Sequence, residues 1–260
     1  MSVKVIITGA KGRMGKMLQS VISEHEGLEL AGLVVQESEY DDSCRNCTPP
    51  VSCDLRELLR VTPDAVVVDF TAPEASLSFA RIVAEFGARH VIGTTGLNEA
   101  QRAELAELAK KAVIFWSPNM SIGINVLLKL LPQLVANLGP DYDVDVMEIH
   151  HKKKKDSPSG TAVRLGEALA EAKGWDYKDA ACYHREGIIG ERPEAEIGMQ
   201  TLRGGDVVGV HTVYFMGPGE RIEVTHQAHS RENFANGAMR AVKWLGGQKP
   251  GKLYSMLDLL

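Results

Sequence analysis

The chain has 260 residues, a formal net charge of −5 at pH 7 and 44% hydrophobic residues. This composition predicts a globular protein with a hydrophobic core and excludes a disordered chain, while the length allows two modest domains. The negative net charge excludes general binding of polyanions, so any anion-binding site has to be local.

The first residues predict neither a membrane span nor an export signal. They read MSVKVIITGA, without a basic start or a cleavage site. Apolar runs elsewhere have the length of strands, well short of the roughly 18 residues that crossing a bilayer requires. We therefore expect a cytoplasmic protein without a membrane partner.

A strand, a glycine turn and a helix are predicted at the start of the chain. VKVIIT at 3–8 is rich in β-branched residues, glycines follow at 9, 12 and 15, and apolar residues then recur at helical spacing. Glycines let a pyrophosphate approach the backbone, and a helix N-terminus favours its charge. The position in a βαβ unit favours a dinucleotide site over a purely structural turn. The expected contacts are Gly9, Ala10, Lys11, Gly12, Arg13 and Met14.

The end of the second predicted strand is where such a site distinguishes the two nicotinamide cofactors. An acidic side chain there favours a free ribose diol, and a basic one favours a 2′-phosphate. The sequence LVVQESE places Gln36 and Glu37 there without Arg or Lys, whereas Lys11 and Arg13 in the glycine turn are cationic. We expect NADH or NADPH as cofactor, with a preference for NADH.

Three of the four cysteines follow in a C-x2-C-x5-C spacing. They are Cys44, Cys47 and Cys53, and the fourth is Cys182. Too few cysteines are present for a disulfide scaffold, which indicates a reducing compartment. Because no fourth ligand stands nearby, free thiols are favoured over a structural zinc site, and no metal is expected.

The alternation of strands and helices continues to about residue 121. Predicted strands at 65–70, 90–93 and 113–116 are separated by predicted helices at 74–86 and 98–110. This order predicts an α/β fold with a parallel, Rossmann-type sheet covered on both faces. GTTG at 93–96 then falls at the carboxyl edge of the sheet, where such folds bind ligands, unless it is only a turn.

After residue 121 the pattern changes. A helix is predicted at 122–138, continuing or kinking at Pro132, and a strand at 144–150. Residues 197–228 contain β-type runs without room for helices between them, which predicts a mixed or antiparallel sheet. We expect a dinucleotide-binding domain of residues 1–121 plus 231–260, and an α+β substrate-binding and oligomerisation domain of residues 122–230.

EIHHKKKKDSPSGTA at 148–162 has the most unusual composition in the chain. Its Ser159 turn before a helix offers amides and hydroxyls to a carboxylate. A histidine, or a lysine whose proton affinity its charged neighbours lower, is suited to donate a proton. A solvated face is favoured for Lys152 and Lys155, and the lack of aromatics argues against nucleic acid. His25, His90 and His184 are predicted at the surface or in loops, whereas His211, His226 and His229 are predicted in or beside strands with core hydrogen bonds.

These segments together resemble the dihydrodipicolinate reductase family over nearly the whole chain. GAKGRMG, DFT at 69–71, GTTG, SPNMSIGIN at 117–125 and the histidine–lysine segment carry the resemblance. It implies NAD(P)H-dependent reduction of a cyclic dicarboxylate imine to tetrahydrodipicolinate in lysine and diaminopimelate biosynthesis. It also implies transfer of hydride from C4 of the nicotinamide to C4 of the ring, after or with loss of the 4-hydroxyl, and a homotetramer.

The resemblance also implies residue roles. His150 and Lys154 match the proton-donating positions, although a one-residue slip would select Lys153 or Lys155. The matched substrate-binding residues are His151, Gly160 and Thr161, next to Ser159. The matched residues beside the nicotinamide are Phe70, Thr71, Gly93, Thr94, Thr95, Ser117, Pro118, Asn119 and Met120.

Two other functions stay open. A non-catalytic, nucleotide-binding regulator would have no need of His150 and Lys154 beside an intact SPSGTA turn. A related dehydrogenase with another small substrate predicts a different catalytic block, such as a reactive cysteine, and no cysteine lies near this segment.

Overall fold

A computed structural model describes residues 2–260, and these form two compact units. The first unit contains the residues up to Ile122 together with Glu232–Leu260, and the second contains Gly123–Arg231. Each unit has its own sheet and its own hydrophobic core.

The N-terminal part of the first unit alternates strands with helices. The strands are β1 (Val3–Thr8), β2 (Leu28–Val34), β3 (Val51–Ser52), β4 (Val66–Asp69), β5 (Arg89–Ile92) and β6 (Val113–Trp116). The helices are α1 (Arg13–Glu24), α2 (Leu55–Val61), α3 (Pro73–Phe86) and α4 (Glu99–Leu108), and short 3-10 turns lie at Glu37–Glu39 and Asp42–Cys44.

The six strands form a parallel sheet in the order β3-β2-β1-β4-β5-β6. This is the strand order of a Rossmann-type fold, with the ligand crevice at the carboxyl ends of β1 and β4, where the order reverses. Val5, Ile6 and Ile7 are fully buried because helices cover both faces of β1. The predicted parallel sheet is confirmed.

The second unit combines helices with a mixed sheet. Its helices are α5 (Ile122–Leu138), which continues through Pro132, α6 (Gly160–Lys173) and α7 (Tyr177–Ala180). Its strands are β7 (Asp143–His150), β8 (Ala181–Cys182), β9 (Ile197–Arg203), β10 (Gly209–Gly217) and β11 (Glu220–Ala228). The order is β11-β10-β7-β9-β8, with antiparallel pairing on one side of β7 and parallel pairing on the other. The prediction left a mixed or an antiparallel sheet open, and the sheet is mixed.

Helices α5 and α6 cover one face of this second sheet. Leu131 of α5 and Leu165 of α6 pack against Val144, Val146 and Phe215 in one buried cluster. Since side chains alternate along a strand, every second residue of β7 and β10 belongs to this covered face. The alternation of buried residues along these strands therefore shows which face is covered.

The C-terminal segment returns to the first unit as α8 (Glu232–Leu245) and α9 (Met256–Leu259). Ala238 and Val242 of α8 are buried with Val5 and Ile7 of β1. Gly237 has no room for a side chain, because an added Cβ would overlap the carbonyl oxygen of Met120. No helix within residues 2–260 has both the length and the apolarity that a bilayer crossing needs.

Candidate active site

The glycine turn connects β1 to α1 with a conformation that only glycine adopts easily. Gly9 has a φ of +61°, and its carbonyl oxygen accepts a 3.0 Å hydrogen bond from the amide of Gly12. A Cβ on Gly9 would lie 2.7 Å from Cγ2 of Thr71, and one on Gly15 would overlap the Gly9 carbonyl. Gly12 caps α1 without a side-chain hydrogen bond, so the first-turn amides have no side-chain acceptor at the cap. This close backbone approach fits the pyrophosphate of a dinucleotide.

The segment after β2 lies beside the glycine turn. The ammonium of Lys11 contacts the carbonyl oxygen of Glu39 and lies 4.0 Å from Oδ2 of Asp41. The amide of Gln36 donates to Oε2 of Glu39 at 3.2 Å, which closes the 3-10 turn, while Gln36 and Glu37 have exposed side chains. The structure thus brings Lys11 to the segment that contains the predicted ribose-selective residues.

The end of β4 is organised by the buried carboxylate of Asp69. Its Oδ1 accepts hydrogen bonds from the Thr71 amide at 2.9 Å, the Thr71 hydroxyl at 2.6 Å and the Thr8 hydroxyl at 3.0 Å. Gly93 packs under the Phe70 ring so closely that an added Cβ would overlap the ring. Thr71 and Phe70 are therefore fixed next to Gly9 and Gly93.

The ends of β5 and β6 continue this edge. The Thr94 carbonyl accepts from Nε1 of Trp116 at 3.1 Å, and its hydroxyl accepts from Ser76 at 2.7 Å. The Ser117 hydroxyl donates to the carbonyl of Asn119 at 2.8 Å. Thr94, Ser117 and Met120 have buried side chains, Thr95 and Pro118 have exposed ones, and Asn119 is half-buried. The buried side chain of Met120 belongs to the core, so only its backbone is available to a ligand.

His90 is not at the surface or in a loop, and that prediction is wrong. Its side chain is completely buried on β5, with Nε2 3.9 Å from Oδ2 of Asp69. Burial lowers its pKa to about 4, although Asp69 acts in the opposite direction. The physical reason is that β5 lies inside a sheet covered on both faces, so that even its polar side chain is enclosed.

In the second unit, the covered face of the sheet changes from apolar to polar at one end. Along β7, Val144 and Val146 are followed on the same face by Glu148 and His150. The neighbouring strands change in the same way, with Thr201 and Arg203 on β9, His211 on β10 and His226 on β11. The end of one sheet face therefore carries a cluster of ionisable side chains.

Glu148 is the most heavily hydrogen-bonded residue of this cluster. His150 Nδ1 lies 2.5 Å from Oε2 of Glu148, and the guanidinium of Arg203 donates to both oxygens at 2.7 Å. Burial would raise the pKa of Glu148, but the bonds from Arg203, His150 and the Ser159 amide lower it to about 2. Glu148 is therefore a carboxylate at neutral pH.

His150 and His211 lie with ring centroids 5.1 Å apart. Burial lowers the pKa of His150, whereas the bond to Glu148 opposes this effect and the charges of Lys154 and Arg203 add to it. Burial, followed by the charge of His150, lowers the pKa of His211 to about 3, so that His211 is neutral. The Ser159 hydroxyl accepts from the Ala162 amide and lies 3.1 Å from His211 Nε2. The predicted core hydrogen bond of His211 is thus present.

Lys154 differs from its three lysine neighbours. Its side chain is 21% exposed and its ammonium lies 3.0 Å from Oδ2 of Asp156. The Lys154 amide donates to the carbonyl of His151 at 3.1 Å, so the chain turns back toward β7. The other three lysines are exposed. This geometry favours the register in which Lys154 is the functional lysine.

The turn that leads into α6 follows Lys154 in the sequence and ends at Ser159. Ser159 is the N-cap of this 14-residue helix, which has no acidic residue in its first turn. Gly160 and Thr161 begin the helix, and a Cβ on Gly160 would meet nothing within 4 Å. The His151 amide donates to the carbonyl of Val207 at 2.8 Å, holding the following turn against the sheet. A carboxylate fits at such a helix N-terminus.

The four cysteines are free thiols. Within residues 2–260, no cluster of three or more His, Cys, Asp or Glu side chains has the geometry to hold a metal ion.

Glu148, Arg203 and His211 belong to the second-unit cluster and were not predicted as functional. Their signal in the sequence is the strand period. Each continues, at a spacing of two, a run of buried residues such as Val144 and Val146, and a polar residue at such a position has to find partners. Which partners they find depends on the order of the strands.

Comparison with protein families matches both units. Residues 3–120 match the model of the dihydrodipicolinate reductase N-terminus, and residues 123–260 match that of its C-terminus.

Relatives of known name match over their full length. A "4-hydroxy-tetrahydrodipicolinate reductase" from Nitratidesulfovibrio vulgaris (strain DSM 19637 / Miyazaki F) is 62% identical over 260 residues, 100% of both chains. One of the same name from Lawsonia intracellularis is 50% identical, again over 100% of both. A solved structure of dipicolinate-bound dihydrodipicolinate reductase from Paenisporosarcina sp. TG-14 has a TM-score of 0.79 at 24% identity, covering 100% of both chains, which shows the same fold.

Proposed function

The chain belongs to the dihydrodipicolinate reductase family, and from this premise we propose how its residues perform the reaction. It is an NAD(P)H-dependent oxidoreductase that converts 4-hydroxy-tetrahydrodipicolinate to tetrahydrodipicolinate in lysine biosynthesis, by reduction together with loss of the 4-hydroxyl as water. The assignment of single residues to steps of this reaction is our proposal.

One observation carries the residue assignment. The half-buried Lys154 follows His150 by four residues and precedes the Ser159–Thr161 turn, all at the polar end of one sheet face. A proton donor and a carboxylate site are what reduction of a dicarboxylate imine requires, because electron density arriving on the ring must be matched by a proton. A regulator would require neither.

We assign binding of one substrate carboxylate to the turn. The donors are the Thr161 amide and hydroxyl together with the Gly160 amide, which the substrate would share with the Asp156 carboxylate, and the dipole of α6 favours the negative charge. His151 binds the substrate from the preceding turn. The cationic Lys154 adds a charge of opposite sign to the dianionic substrate.

We assign proton delivery to His150 and Lys154. Glu148 is a carboxylate and can only accept, so the proton on Nδ1 of His150 is held in that hydrogen bond, and Nε2 is the nitrogen that exchanges a proton with the substrate. A Cβ on Gly209 would come within 3.0 Å of Nε2. The glycine at this position therefore keeps that edge of the imidazole free of a neighbouring side chain.

The first unit is assigned to the nicotinamide nucleotide, which supplies the hydride when bound. Gly9, Gly12 and Gly15 fit its pyrophosphate, as their close backbone approach indicates. Phe70, Thr71, Gly93 and Thr94 border the nicotinamide, and the other contacts are the predicted Ala10, Lys11, Arg13, Met14, Gln36, Glu37, Thr95 and Ser117–Met120. NADH is preferred, because Glu37 follows β2 and Lys11 already has partners in Glu39 and Asp41.

We also propose a homotetramer formed through the second sheet. Helices cover one face of that sheet, while the opposite face carries Leu202, which is 46% exposed. Ile149 lies between Leu202 and Val210 in the sheet register, and apolar side chains grouped on an uncovered face favour burial against another copy. A cytosolic location is proposed from the four free thiols.

The experiment that tests the function follows nucleotide oxidation at 340 nm with enzymatically generated substrate, and with NADH and NADPH in parallel. Substrate-dependent oxidation, faster with NADH, is the expected result. Tight nucleotide binding without oxidation would favour the regulator. Oxidation with another small carbonyl or imine substrate, but not with this one, would favour a related dehydrogenase.

A further inference from the structure

A single buried carboxylate connects the two parts of the second-unit site. Oε2 of Glu148 faces Nδ1 of His150 at 2.5 Å, and Oε1 accepts the backbone amide of Ser159 at 2.9 Å. The guanidinium of Arg203 binds both oxygens at 2.7 Å, and the Thr201 hydroxyl reaches Oε1 at 3.3 Å. Because Glu148 is fully enclosed, its charge is stable only with these donors in place.

Arg203 extends the same connection to the other side of the turn. While holding Glu148, its NH2 group also donates to the carbonyl oxygen of Asp156 at 2.8 Å. The turn from Asp156 to Ser159 is thus held at its first residue by Arg203 and at its last by Glu148. Asp156 also carries the carboxylate that pairs with Lys154.

The consequence for His150 is a fixed tautomer and a fixed ring orientation. An ionised Glu148 favours the proton on Nδ1 and stabilises the imidazolium form when Nε2 is also protonated. A neutral amide in its place would still hydrogen-bond, yet it would lose the charge that stabilises the imidazolium.

We propose that Glu148 and Arg203 are positioning residues that align the proton donor His150 with the carboxylate-binding turn at Ser159–Thr161. This inference rests on the proposed function. It adds that one ion pair supports both the proton-donating part of the site, through Glu148 and His150, and the anion-binding part, through Arg203 and the turn.

The test compares Glu148→Gln and Arg203→Lys with the controls Glu167→Gln and Arg164→Lys. Glu167 and Arg164 form an exposed ion pair on α6, so they match the two test residues in type but lie outside the site. Steady-state rates are measured from pH 5 to pH 10, together with the Kd for NADH, which reports on the first unit. Wild type without substrate-dependent oxidation would contradict the proposed function itself. An active wild type with unaffected variants would overturn only this inference.

For Glu148→Gln we expect kcat to fall by about 10- to 100-fold, as for loss of a group that orients a catalytic histidine. The alkaline limb of the pH profile should also move to lower pH, because removing the carboxylate lowers the pKa of His150. A purely structural role would lower the rate without moving the limb, and that result would overturn the proposal.

For Arg203→Lys we expect KM for the substrate to rise about tenfold, since a lysine cannot replace the bidentate contact and the bond to Asp156 together. The pH limb should stay in place, because Glu148 keeps its charge. If urea denaturation shows that the second unit of Glu148→Gln is not folded, Arg203→Lys decides alone. A raised KM supports the proposal and an unchanged KM overturns it.

Discussion

Gly15 passes so close to the carbonyl oxygen of Gly9 that a Cβ at position 15 would overlap it. The two glycines therefore define the shape of the turn between β1 and α1. We predict that Gly15→Ala weakens binding of NADH at least tenfold, because the turn has to open. Titration of nucleotide fluorescence measures the Kd. Gly247→Ala, which meets open space, is the control, and an unchanged Kd in Gly15→Ala would falsify the assignment of this turn.

Glu37 follows β2, and we propose that it selects the ribose diol of NADH, as an acidic side chain at the end of this strand does in such folds. Replacing it with arginine removes the negative charge and adds a partner for a 2′-phosphate. We predict that Glu37→Arg raises the ratio of kcat/KM for NADPH over NADH about tenfold or more. Glu24→Arg has the same charge change on an exposed residue of α1, and it should leave the ratio unchanged. Equal shifts in both variants would mean that net charge, rather than position 37, sets the preference.

His90 makes the stability of the first unit depend on pH. Its pKa is about 4 in the folded protein against an ordinary value of 6.5, so the unfolded chain binds a proton that the folded chain excludes between these values. Stability is therefore lost as pH falls from about 6.5 to 4. We predict that His90→Leu reduces this slope by up to about 1.4 kcal/mol per pH unit. Urea denaturation at several pH values measures it.

The control for this prediction is His184→Asn, because the His184 side chain is 77% exposed and its loss should leave the slope unchanged. His90→Leu should also keep its stability at pH 7, since neither ring nitrogen of His90 has a hydrogen-bond partner among the described residues. An unaltered acid slope in His90→Leu would show that other groups cause the acid sensitivity.

Leu202 tests the proposed tetramer. It lies on the sheet face opposite α5 and α6, and a charge there would be buried between copies. We predict that wild type sediments as a tetramer and that Leu202→Glu sediments as a smaller species. Leu130→Glu has nearly the same exposure, 45% against 46%, but lies on helix α5. A monomeric wild type, or dissociation of Leu130→Glu alone, would contradict the proposed interface.

Much of the fold could be predicted from local patterns. The run VKVIIT, the glycine turn and the helical spacing up to Ile22 specify a βαβ start, and the structure confirms a parallel sheet with β1 inside it. The period of two in β7 also places Val144 and Val146 on one face. These features depend on residues that are close in the sequence, which is why a single sequence is enough to predict them.

The partners of Glu148 could not be predicted in this way. Arg203 is 55 residues away and His211 lies on another strand, and both reach Glu148 or His150 only because β9 and β10 flank β7. The prediction that His90 lies at the surface or in a loop fails for a related reason, because the burial of its side chain depends on its neighbours in the sheet. Strand order is set by long-range packing, to which single-residue patterns are insensitive.

In the proposed mechanism Lys154, alone among four consecutive lysines, shares proton delivery with His150. The most direct measurement compares kcat of Lys154→Ala with that of Lys153→Ala and Lys155→Ala at saturating NADH, with urea denaturation as the check on folding. We predict that Lys154→Ala loses at least about 100-fold in kcat, within the usual range for a general acid, while Lys153→Ala and Lys155→Ala keep most of their kcat. A Lys154→Ala variant with wild-type kcat, or an equal loss in all three, would contradict it.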